Sequence, residues 1–352
     1  MVSNQEIFDE IFIRQKKQLP FVVFRKPHGE TLHFIGQSDN KLNYTSSFEE
    51  EGFVFAPFND LSKTVILKPE TYLRSDYVNT CEKEHDLHPE SDMDIPGKED
   101  HVKLVTEGIT AIHKGKLNKV VLSRSQGVMI DHSSYLSIYK TLLNTYKNAF
   151  AYWWYHPQVG MWMGASPETL VLVHNSHFQT MSLAGTQRFK GTLDVSWGEK
   201  EATEQQIVTD YIAENLSFIC ATLNVSEVET VRAGNLLHLK TEISGVFKKG
   251  CTLRNLIEAL HPTPAVCGYP KVLAKEFIVK HEQYERTYYT GFLGYINDKK
   301  EGTSLYVNLR CMELNGNKAI VYVGGGVTKD SDPEAEWEET LNKSLTMMRL
   351  LK

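Results

Sequence analysis

The succession of strand-like segments is the feature that most limits how this chain can fold. Short apolar runs follow one another in groups, at 20–68, 148–184 and 290–323, with polar turns between the runs. Strands joined by short turns pair antiparallel, whereas parallel strands need a long crossover between them. Helical periodicity occupies other parts of the chain, at 1–18, 99–115, 133–146, 198–223, 252–260, 271–283 and after Pro333. The sequence therefore predicts a mixed α/β (α+β) fold of mostly antiparallel sheets flanked by helices.

Composition excludes several classes of protein. The 352 residues carry a net charge of -6 and are 41% hydrophobic, which is ordinary for a soluble protein and leaves no basic footprint for nucleic acid. No apolar run approaches the length of a membrane span, and the acidic, amphipathic N-terminus is unlike a signal or transit peptide. We therefore expect a cytoplasmic protein without nucleic-acid or membrane partners, and a monomer, because no segment is patterned as an interface.

The cysteines agree with that compartment. They are scattered and form no CxxC pair, which predicts reduced thiols rather than disulfides or a zinc site. They are Cys81, Cys220, Cys251, Cys267 and Cys311. The polar segment 75–100 has no periodicity and is expected to be a long or poorly ordered loop, in which His85, Asp86 and His88 are solvent-exposed.

The C-terminal stretch 322–352 combines three glycines with a two-faced helix. Gly324–Gly326 would let backbone approach a ligand where any Cβ would collide. On the following helix, Glu336, Glu339 and Lys343 share one side at spacings of three and four. Two carboxylates and an amine beside glycines suggest a divalent cation that holds an anion. The alternative is a solvated face with a Glu339–Lys343 pair.

The helical pattern at 198–223 carries two acids in line with its apolar side. Glu201 and Glu204 continue that side toward the N-terminus. A carboxylate directed at a core is costly unless it is paired or coordinates a metal. Alternatively, both lie exposed in the first turn, where acids suit the helix dipole. If Glu204 and Glu339 converge, their oxygens with waters and a substrate carboxylate would suit Mg²⁺.

Four further polar positions have both a structural and a chemical interpretation. Lys119 begins the apolar strand KVVL, where it either extends to solvent or acts as a base in a cleft. Glu168 follows Ser166-Pro167 in a tight connection, where most glutamates are simply exposed. Arg310 interrupts an apolar strand and needs an anionic partner, either a carboxylate of the protein or one of a substrate. Gly185-Thr186 after a strand is typical of an anion-positioning turn, although such turns are common.

Other constellations are absent from the sequence. There is no GxxxxGK[ST] motif and no GxSxG elbow, and no glycine cluster follows a βαβ unit, so a dinucleotide site is unsupported. Of the three histidines with local interest, His261 before Pro-Thr-Pro is the best placed for a site. A packed or capping role is the expectation for His238 and His281.

The motifs resemble, in one order, those of the chorismate-utilising enzymes, which include isochorismate, salicylate, anthranilate and aminodeoxychorismate synthases. The segments that carry the resemblance are KVVLSR (119–124), ASPETLV (165–171), LAGT (183–186), EKEATEQQIVTDYI (199–212), HPTPAVCG (261–268), ERTYYTGFLGY (285–295), NLRC (308–311) and YVGGGV with SDPEAEWEETLNK (322–343). The resemblance implies one chorismate-binding domain over 1–352, with a variable N-terminal sheet region at 1–98 and the catalytic core at 99–352.

By motif position, the resemblance also implies residue roles. Lys119 is similar to the base that activates water, and Glu168 to the acid that protonates the departing hydroxyl. Glu204 and Glu339 match Mg²⁺ ligands, with Glu201 and Glu336 as outer-shell partners. The residues that match the substrate-binding positions are Gly185, Thr186, His261, Ala265, Arg310, Gly324, Gly325, Gly326 and Lys343.

The reaction explains these residue types. Chorismate is a dianion, so Mg²⁺ and Arg310 can each hold one carboxylate. Isochorismate forms when water adds at C2 while the C4 hydroxyl leaves, which requires a neutral Lys119 and a protonated Glu168.

Two positions indicate the branch of the family. Anthranilate synthases have Gln in place of Lys119, and aminodeoxychorismate synthases typically have Lys in place of Ala184. Lys119 with Ala184 therefore favours water addition. Gln205, where many relatives have His, puts metal affinity in question.

The resulting prediction is a Mg²⁺-dependent isochorismate synthase. The alternatives are a salicylate synthase, which would also eliminate pyruvate, and a non-catalytic chorismate-binding subunit. The pathway, toward menaquinone or toward a catechol siderophore, stays open.

Overall fold

The computed structural model describes residues 1–77, 96–233 and 236–351, and these form seven α-helices. Three of these helices lie in the first half of the chain and four in the second half. Their bounds are Asn4–Lys17 (α1), Lys98–His113 (α2), Tyr135–Thr145 (α3), Glu199–Ser217 (α4), Leu253–Leu260 (α5), Lys271–His281 (α6) and Pro333–Met348 (α7). The sequence predicted each of them, although α4 is shorter than the expected 198–223. Cys220–Val225 pairs with a neighbouring strand instead of continuing the helix.

The strands are short, and most connect through tight turns. In chain order they are Phe21–Arg25 (β1), Thr31–Gly36 (β2), Tyr44–Thr45 (β3), Gly52–Ala56 (β4), Thr64–Leu67 (β5), Thr71–Asp76 (β6), Lys119–Met129 (β7), Phe150–His156 (β8), Gly160–Ser166 (β9), Thr169–His174 (β10), His177–Arg188 (β11), Cys220–Val225 (β12), Glu229–Ala233 (β13), Leu236–Phe247 (β14), Gly268–Tyr269 (β15), Phe292–Asp298 (β16), Gly302–Val307 (β17), Cys311–Asn315 (β18) and Lys318–Val327 (β19). Residues 78–95, with His85, Asp86, His88 and Cys81, lie outside the described residues, whereas the two ends of the expected 75–100 loop belong to β6 and α2.

These strands form two large sheets. The first has the order β15-β7-β19-β18-β9-β8-β1-β2-β6, and the second the order β12-β14-β11-β10-β17-β16-β4-β5-β3, with β13 also paired to β14. Every described strand pair is antiparallel, so the predicted α+β class with antiparallel sheets is confirmed.

The sheets pack face to face over an aromatic core. Trp154 and Trp162 of the first sheet contact Phe55 of the second, with ring centroids 4.9 and 5.9 Å apart. Aromatic rings bury large apolar areas, so this inner layer is a main source of the hydrophobic stabilisation. Helices cover the outer faces, α1 and α3 on the first sheet and α4 and α5 on the second. None of the described helices is long and apolar enough to cross a membrane.

The chain passes from the first sheet to the second at two adjacent crossovers. One crossover, 167–168, joins β9 to β10, and the other, 308–310, joins β17 to β18 in the opposite direction. They are hydrogen-bonded side by side, from Val307 N to Glu168 O and from Ala165 N to Arg310 O, both 3.0 Å. The expectation that Arg310 lies within one apolar strand, at 303–313, is therefore wrong. Its apolar pattern is continuous, but its two halves belong to different sheets, and Arg310 has a φ of 46° at the break.

Two glycine motifs also differ from their sequence-based description. Gly324–Gly326 are not a loop but the end of β19, in register with Val121–Ser123 of β7. Gly185 and Thr186 lie within β11, at a bulge where the register with β14 shifts, and Gly185 has a φ of 67°. A bulge with glycine in the left-handed region is a common way to redirect a strand edge.

A buried ion pair fastens the segment after α6 to β7. Both side chains of Glu282 and Arg286 are 1% exposed, and their closest N–O distance is 2.6 Å. Glu282 Oε1 also accepts hydrogen bonds from the amide and hydroxyl of Ser123, and Arg286 donates to the carbonyls of Val121 and Val266. Both charges of this buried pair therefore have hydrogen-bond partners besides each other, as burial requires.

Replacing Arg286 with Met should lower the free energy of unfolding by about 3–5 kcal/mol, because Glu282 is left buried without its partner. Urea denaturation followed by tryptophan fluorescence measures this. The control is Arg254→Met, which breaks the exposed pair with Glu258 and should cost no more than about 1 kcal/mol. Equal losses in the two variants would show that the buried pair does not stabilise this region.

Candidate active site between the two sheets

A cavity lies between the sheets beside the two crossovers. Its walls come from β7, β11, β14, β19, α4 and α7 and from both crossovers. Many of the residues singled out from the sequence line this cavity. They include Glu168, Ala184, Gly185, Thr186, Glu204, Ala265, Arg310, Gly324, Gly326 and Lys343. Residues separated by more than 200 positions in the chain are thus collected in one place.

Glu168 is a buried acid at the first crossover. Its residue is 3% exposed, and its backbone is fixed by Ser166, whose Oγ lies 3.3 Å from the Glu168 amide. Burial raises the pKa of Glu168 to about 8, although Lys119 and Lys343 act to lower it. A carboxyl group with this pKa is mostly protonated at neutral pH and can donate a proton.

Lys119 and Glu204 form a second pair of functional side chains, joined by an ion pair. Lys119 Nζ is 2.8 Å from Glu204 Oε1, and the lysine side chain is fully buried. Burial alone would raise the pKa of Glu204, but Lys119, Lys343 and Lys200 together lower it below its usual value. Glu204 is therefore ionised. Lys119 itself lies behind Glu204 and Gly326 rather than in the cavity lining.

Two more carboxylates project from α7 and each is paired with a lysine. Glu336 Oε1 is 2.6 Å from Lys200 Nζ, and Glu339 Oε1 is 2.7 Å from Lys343 Nζ. Burial and the charge of Glu339 raise the pKa of Glu336. Lys343 also donates to the Gly324 carbonyl at 3.0 Å, which ties this helix to the end of β19.

The glycines of β19 make room for these acids. A Cβ on Gly325 would lie 3.2 Å from Glu336 Oε2 and 3.5 Å from Glu339 Oε1, and a Cβ on Gly326 would collide with Glu204 Oε1. The carboxylates of α7 therefore lie beside Gly325, and the carboxylate from α4 lies beside the next residue of the strand, Gly326. The glycines were expected to let backbone approach a ligand, and their close neighbours are carboxylates of the protein.

This set of oxygens is chemically suited to a magnesium ion. Mg²⁺ prefers oxygen ligands and usually takes only one or two carboxylates from the protein, with waters and substrate oxygens as the others. Oε2 of the buried Glu336 has no hydrogen-bond partner among the described residues, which leaves an oxygen available. Those residues contain no group of three or more His, Cys, Asp or Glu side chains placed to hold a metal by themselves.

Two further residues of the cavity lining, His238 and Arg310, are hydrogen-bonded to each other, and the histidine is neutral. His238 Nδ1 is 2.8 Å from the Gly185 carbonyl, and His238 Nε2 is 3.0 Å from Arg310 Nη2. Burial, Arg310 and Lys343 lower the pKa of His238 to about 3. Since a guanidinium only donates, Nε2 accepts and Nδ1 carries the proton. His238 therefore joins the bulge of β11 to the second crossover.

Burial lowers the pKa of Arg310 to about 10, so the guanidinium stays charged at neutral pH. With Lys343, it gives the cavity positive charge at the places where an anionic ligand would be held. His238 was expected to be a packed residue, and no local sequence pattern distinguished it. Its partner Arg310 is 72 positions away.

The cavity lining does not include two predicted site residues, His261 and Glu201, or the nearby Gln205. His261 ends α5 and packs against Phe292, with ring centroids 5.1 Å apart, and it does not line the cavity. Burial lowers the pKa of His261 to about 3. The Glu201 carboxylate lies beside Gly198, where a Cβ would be 2.7 Å from its Oε2, and the Glu201 Cβ lies next to the cavity-lining Gly185, 3.2 Å from where a Cβ of that glycine would be. Gln205 donates to Ser182 Oγ at 2.8 Å. Site roles for these three side chains stay predictions.

Comparison with known proteins places this geometry in a family. The family model described as chorismate binding enzyme matches residues 57–352. Isochorismate synthase DhbC of Bacillus subtilis is 30% identical over 281 residues, 73% of this chain and 69% of that protein. Isochorismate synthase MenF of Escherichia coli is 29% identical over 272 residues, 73% of this chain and 61% of that protein.

Solved structures agree over nearly the whole chain. The crystal structure of a 2,3-dihydroxybenzoate-specific isochorismate synthase, DhbC, from Bacillus anthracis has a TM-score of 0.78 and 27% identity, and the match covers 97% of this chain and 99% of that one. The motifs, the two antiparallel sheets and the cavity between them therefore have one explanation, and the chain belongs to the chorismate-binding enzyme family.

Proposed function

We propose that this protein is an isochorismate synthase, an isomerase that converts chorismate to isochorismate by adding water at C2 as the C4 hydroxyl leaves. The observation that carries the proposal is the buried carboxyl of Glu168, which is mostly protonated at neutral pH in a cavity that is also lined by Arg310 and by Glu204, the ion-pair partner of Lys119. An acid, an amine and two anion-binding cations are what this displacement needs.

The cations would bind the substrate. Chorismate carries two carboxylates, and the guanidinium of Arg310 offers a planar, charge-assisted contact to one of them. His238 fixes the position of that guanidinium, and its neutral ring adds no competing charge. The Gly185–Thr186 bulge and Ala265 complete the wall around the ring of the substrate.

The acid and the amine would divide the proton transfers. Glu168 donates its proton to the leaving C4 hydroxyl, because burial keeps that proton bound. Lys119 takes a proton from the attacking water, for which its amine must first be neutral. Lys119 is paired with Glu204 in the free protein, so release of that ion pair is a requirement of the base role.

Mg²⁺ is the proposed cofactor, with Glu204 and Glu339 as ligands and Glu201 and Glu336 as outer-shell residues. When bound, the ion would supply positive charge that holds a substrate carboxylate and stabilises the transition state electrostatically. The carboxylates around Gly325 and Gly326 support this assignment.

Several wider assignments belong to the same proposal. We place the catalytic core at 99–352, because every described residue that lines the cavity comes from it. A cytoplasmic, monomeric enzyme fits the unpaired thiols of Cys220, Cys251, Cys267 and Cys311. Relatives are named for both menaquinone and siderophore pathways, and the active-site residues do not choose between them.

The first experiment is incubation of the purified protein with chorismate and Mg²⁺, followed by chromatography, with EDTA as the control. A chorismate–isochorismate mixture is expected. Salicylate with pyruvate would make the protein a salicylate synthase that uses the same residues. Unchanged chorismate would contradict both activities and leave a chorismate-binding subunit.

Replacing Glu168 with Gln should lower kcat by about 10²–10⁴-fold, because the amide cannot donate the proton. Since the protonated form is the active one, kcat/KM of the unmodified enzyme should be highest below the Glu168 pKa of about 8 and fall above it. The residual activity of the variant should lack this alkaline decline. An identical decline in the variant would assign the titration to another group.

Lys119→Ala should abolish turnover while chorismate still binds, because the base is lost and the cations of the cavity are kept. Equilibrium binding of chorismate and single-turnover rates measure the two properties separately. Lys116→Ala, an exposed lysine of the preceding turn, is the matched control and should behave as wild type. Near-normal turnover in Lys119→Ala would remove the base role from this residue.

Glu339→Ala should raise the Mg²⁺ concentration needed for half-maximal activity by at least about tenfold, the effect expected for loss of a metal-site residue. Its neighbour on the same helix, Glu338, is exposed and supplies the control Glu338→Ala. An unchanged Mg²⁺ titration in Glu339→Ala would show that this carboxylate is not a ligand.

A further inference from the structure

Glu204, Glu336 and Glu339 form an acidic cluster around Gly325 and Gly326. Lys200 is a charged group of this cluster, and the proposed reaction does not use this lysine. It lies in the first turn of α4, and its Nζ reaches Glu336 Oε1 on α7 at 2.6 Å. The lysine side chain is 27% exposed and the glutamate side chain only 1%, so the ammonium approaches a buried carboxylate from the solvent side. The cavity lining does not include Lys200, so its position gives it no contact with a substrate there.

The pair is one of three that neutralise the cluster. Lys119, Lys343 and Lys200 each pair with a different carboxylate, at 2.6–2.8 Å. Lys119 and Lys343 also have places in the proposed chemistry, as base and substrate contact. Lys200 has no such place, and its charge acts on all three acids, since Glu336, Glu339 and Glu204 each raise its pKa.

The Glu336 oxygen that Lys200 does not contact marks the place where a divalent cation would compete with Lys200 for this carboxylate. Oε1 is taken by Lys200, whereas Oε2 has no hydrogen-bond partner among the described residues and faces Gly325. Glu339 Oε1 lies near the same point, 3.5 Å from where a Cβ of Gly325 would be. A divalent cation bound to these oxygens would stand close to the ammonium of Lys200, and the two positive charges would repel each other.

We propose that Lys200 is a positioning residue that takes the place of the divalent cation in the cation-free protein. Its ammonium holds the buried Glu336 carboxylate in the cluster, and it competes with the cation for the same negative charge. The inference rests on the proposed magnesium site and adds to it a residue that limits the affinity of that site. The site is then assembled before the cation arrives, and the cation can be exchanged.

The test is Lys200→Met, studied without chorismate at pH 8. Isothermal titration calorimetry should show Mg²⁺ binding tightened by about tenfold, the size of coupling expected between charged groups in contact. Thermal unfolding in EDTA should occur at least about 2 °C lower than in wild type, because Glu336 has lost its partner. In saturating Mg²⁺ this difference in Tm should shrink or reverse.

Lys98→Met is the matched control. Lys98 also pairs with a glutamate of α7, Glu334, at 2.7 Å, but both side chains are about half exposed and lie away from the glycines. Neither its Mg²⁺ affinity nor the Mg²⁺ dependence of its Tm should differ from wild type. If Lys200→Met does not fold, Lys200→Gln, which keeps a hydrogen-bond donor without the charge, should show the same tightening.

Two outcomes would overturn the inference. Unchanged or weaker Mg²⁺ binding in both uncharged variants, with wild type binding normally, would show that Lys200 does not compete with the cation. A loss of Tm that is equal in EDTA and in Mg²⁺ would make the ion pair purely structural. Absence of Mg²⁺ binding in wild type is a different result, because it contradicts the proposed metal site itself.

Discussion

The pairing of buried opposite charges is the interaction on which the rest of this structure depends. The space between two apolar sheets is a poor environment for any ion, and an isolated charge there would be neutralised or expelled. Lys119–Glu204, Lys200–Glu336 and Arg286–Glu282 solve this problem in three places around the same interior. Polar chemistry can exist at the centre of the fold because the ions there are kept in compensating sets.

Glu168 differs from these paired carboxylates, and the difference suits its proposed role as an acid. None of the described lysines is a direct ion-pair partner of Glu168, so burial dominates and the carboxyl keeps its proton. Glu204, whose side chain is 13% exposed and lies 2.8 Å from an ammonium, is ionised. Two glutamates in one cavity thus hold opposite protonation states, and the difference comes from their neighbours rather than from their own chemistry.

Periodicity in the sequence was sufficient to predict the helices, the antiparallel pairing and most of the strands. It failed at 308–310, because a continuous apolar pattern does not reveal that β17 and β18 lie in different sheets. The motif resemblance led to most of the cavity lining, including Glu168 and Arg310. His238 and Lys200 were missed for one reason: the importance of each comes from a partner far along the chain, Arg310 in one case and Glu336 in the other.

The three glycines of β19 also require a fixed number of residues between themselves and the turn that precedes this strand. Successive residues of a strand point to opposite faces, so Gly324 and Gly326 border the cavity while Gly325 is turned toward the acids of α7. Pairing with β7 fixes this alternation, with Gly326 opposite Val121. Adding or deleting one residue upstream in β19 would exchange the two faces, even if every side chain of the site were kept. The spacing between the turn before β19 and its glycines is therefore as much a part of the site as the residues that line it.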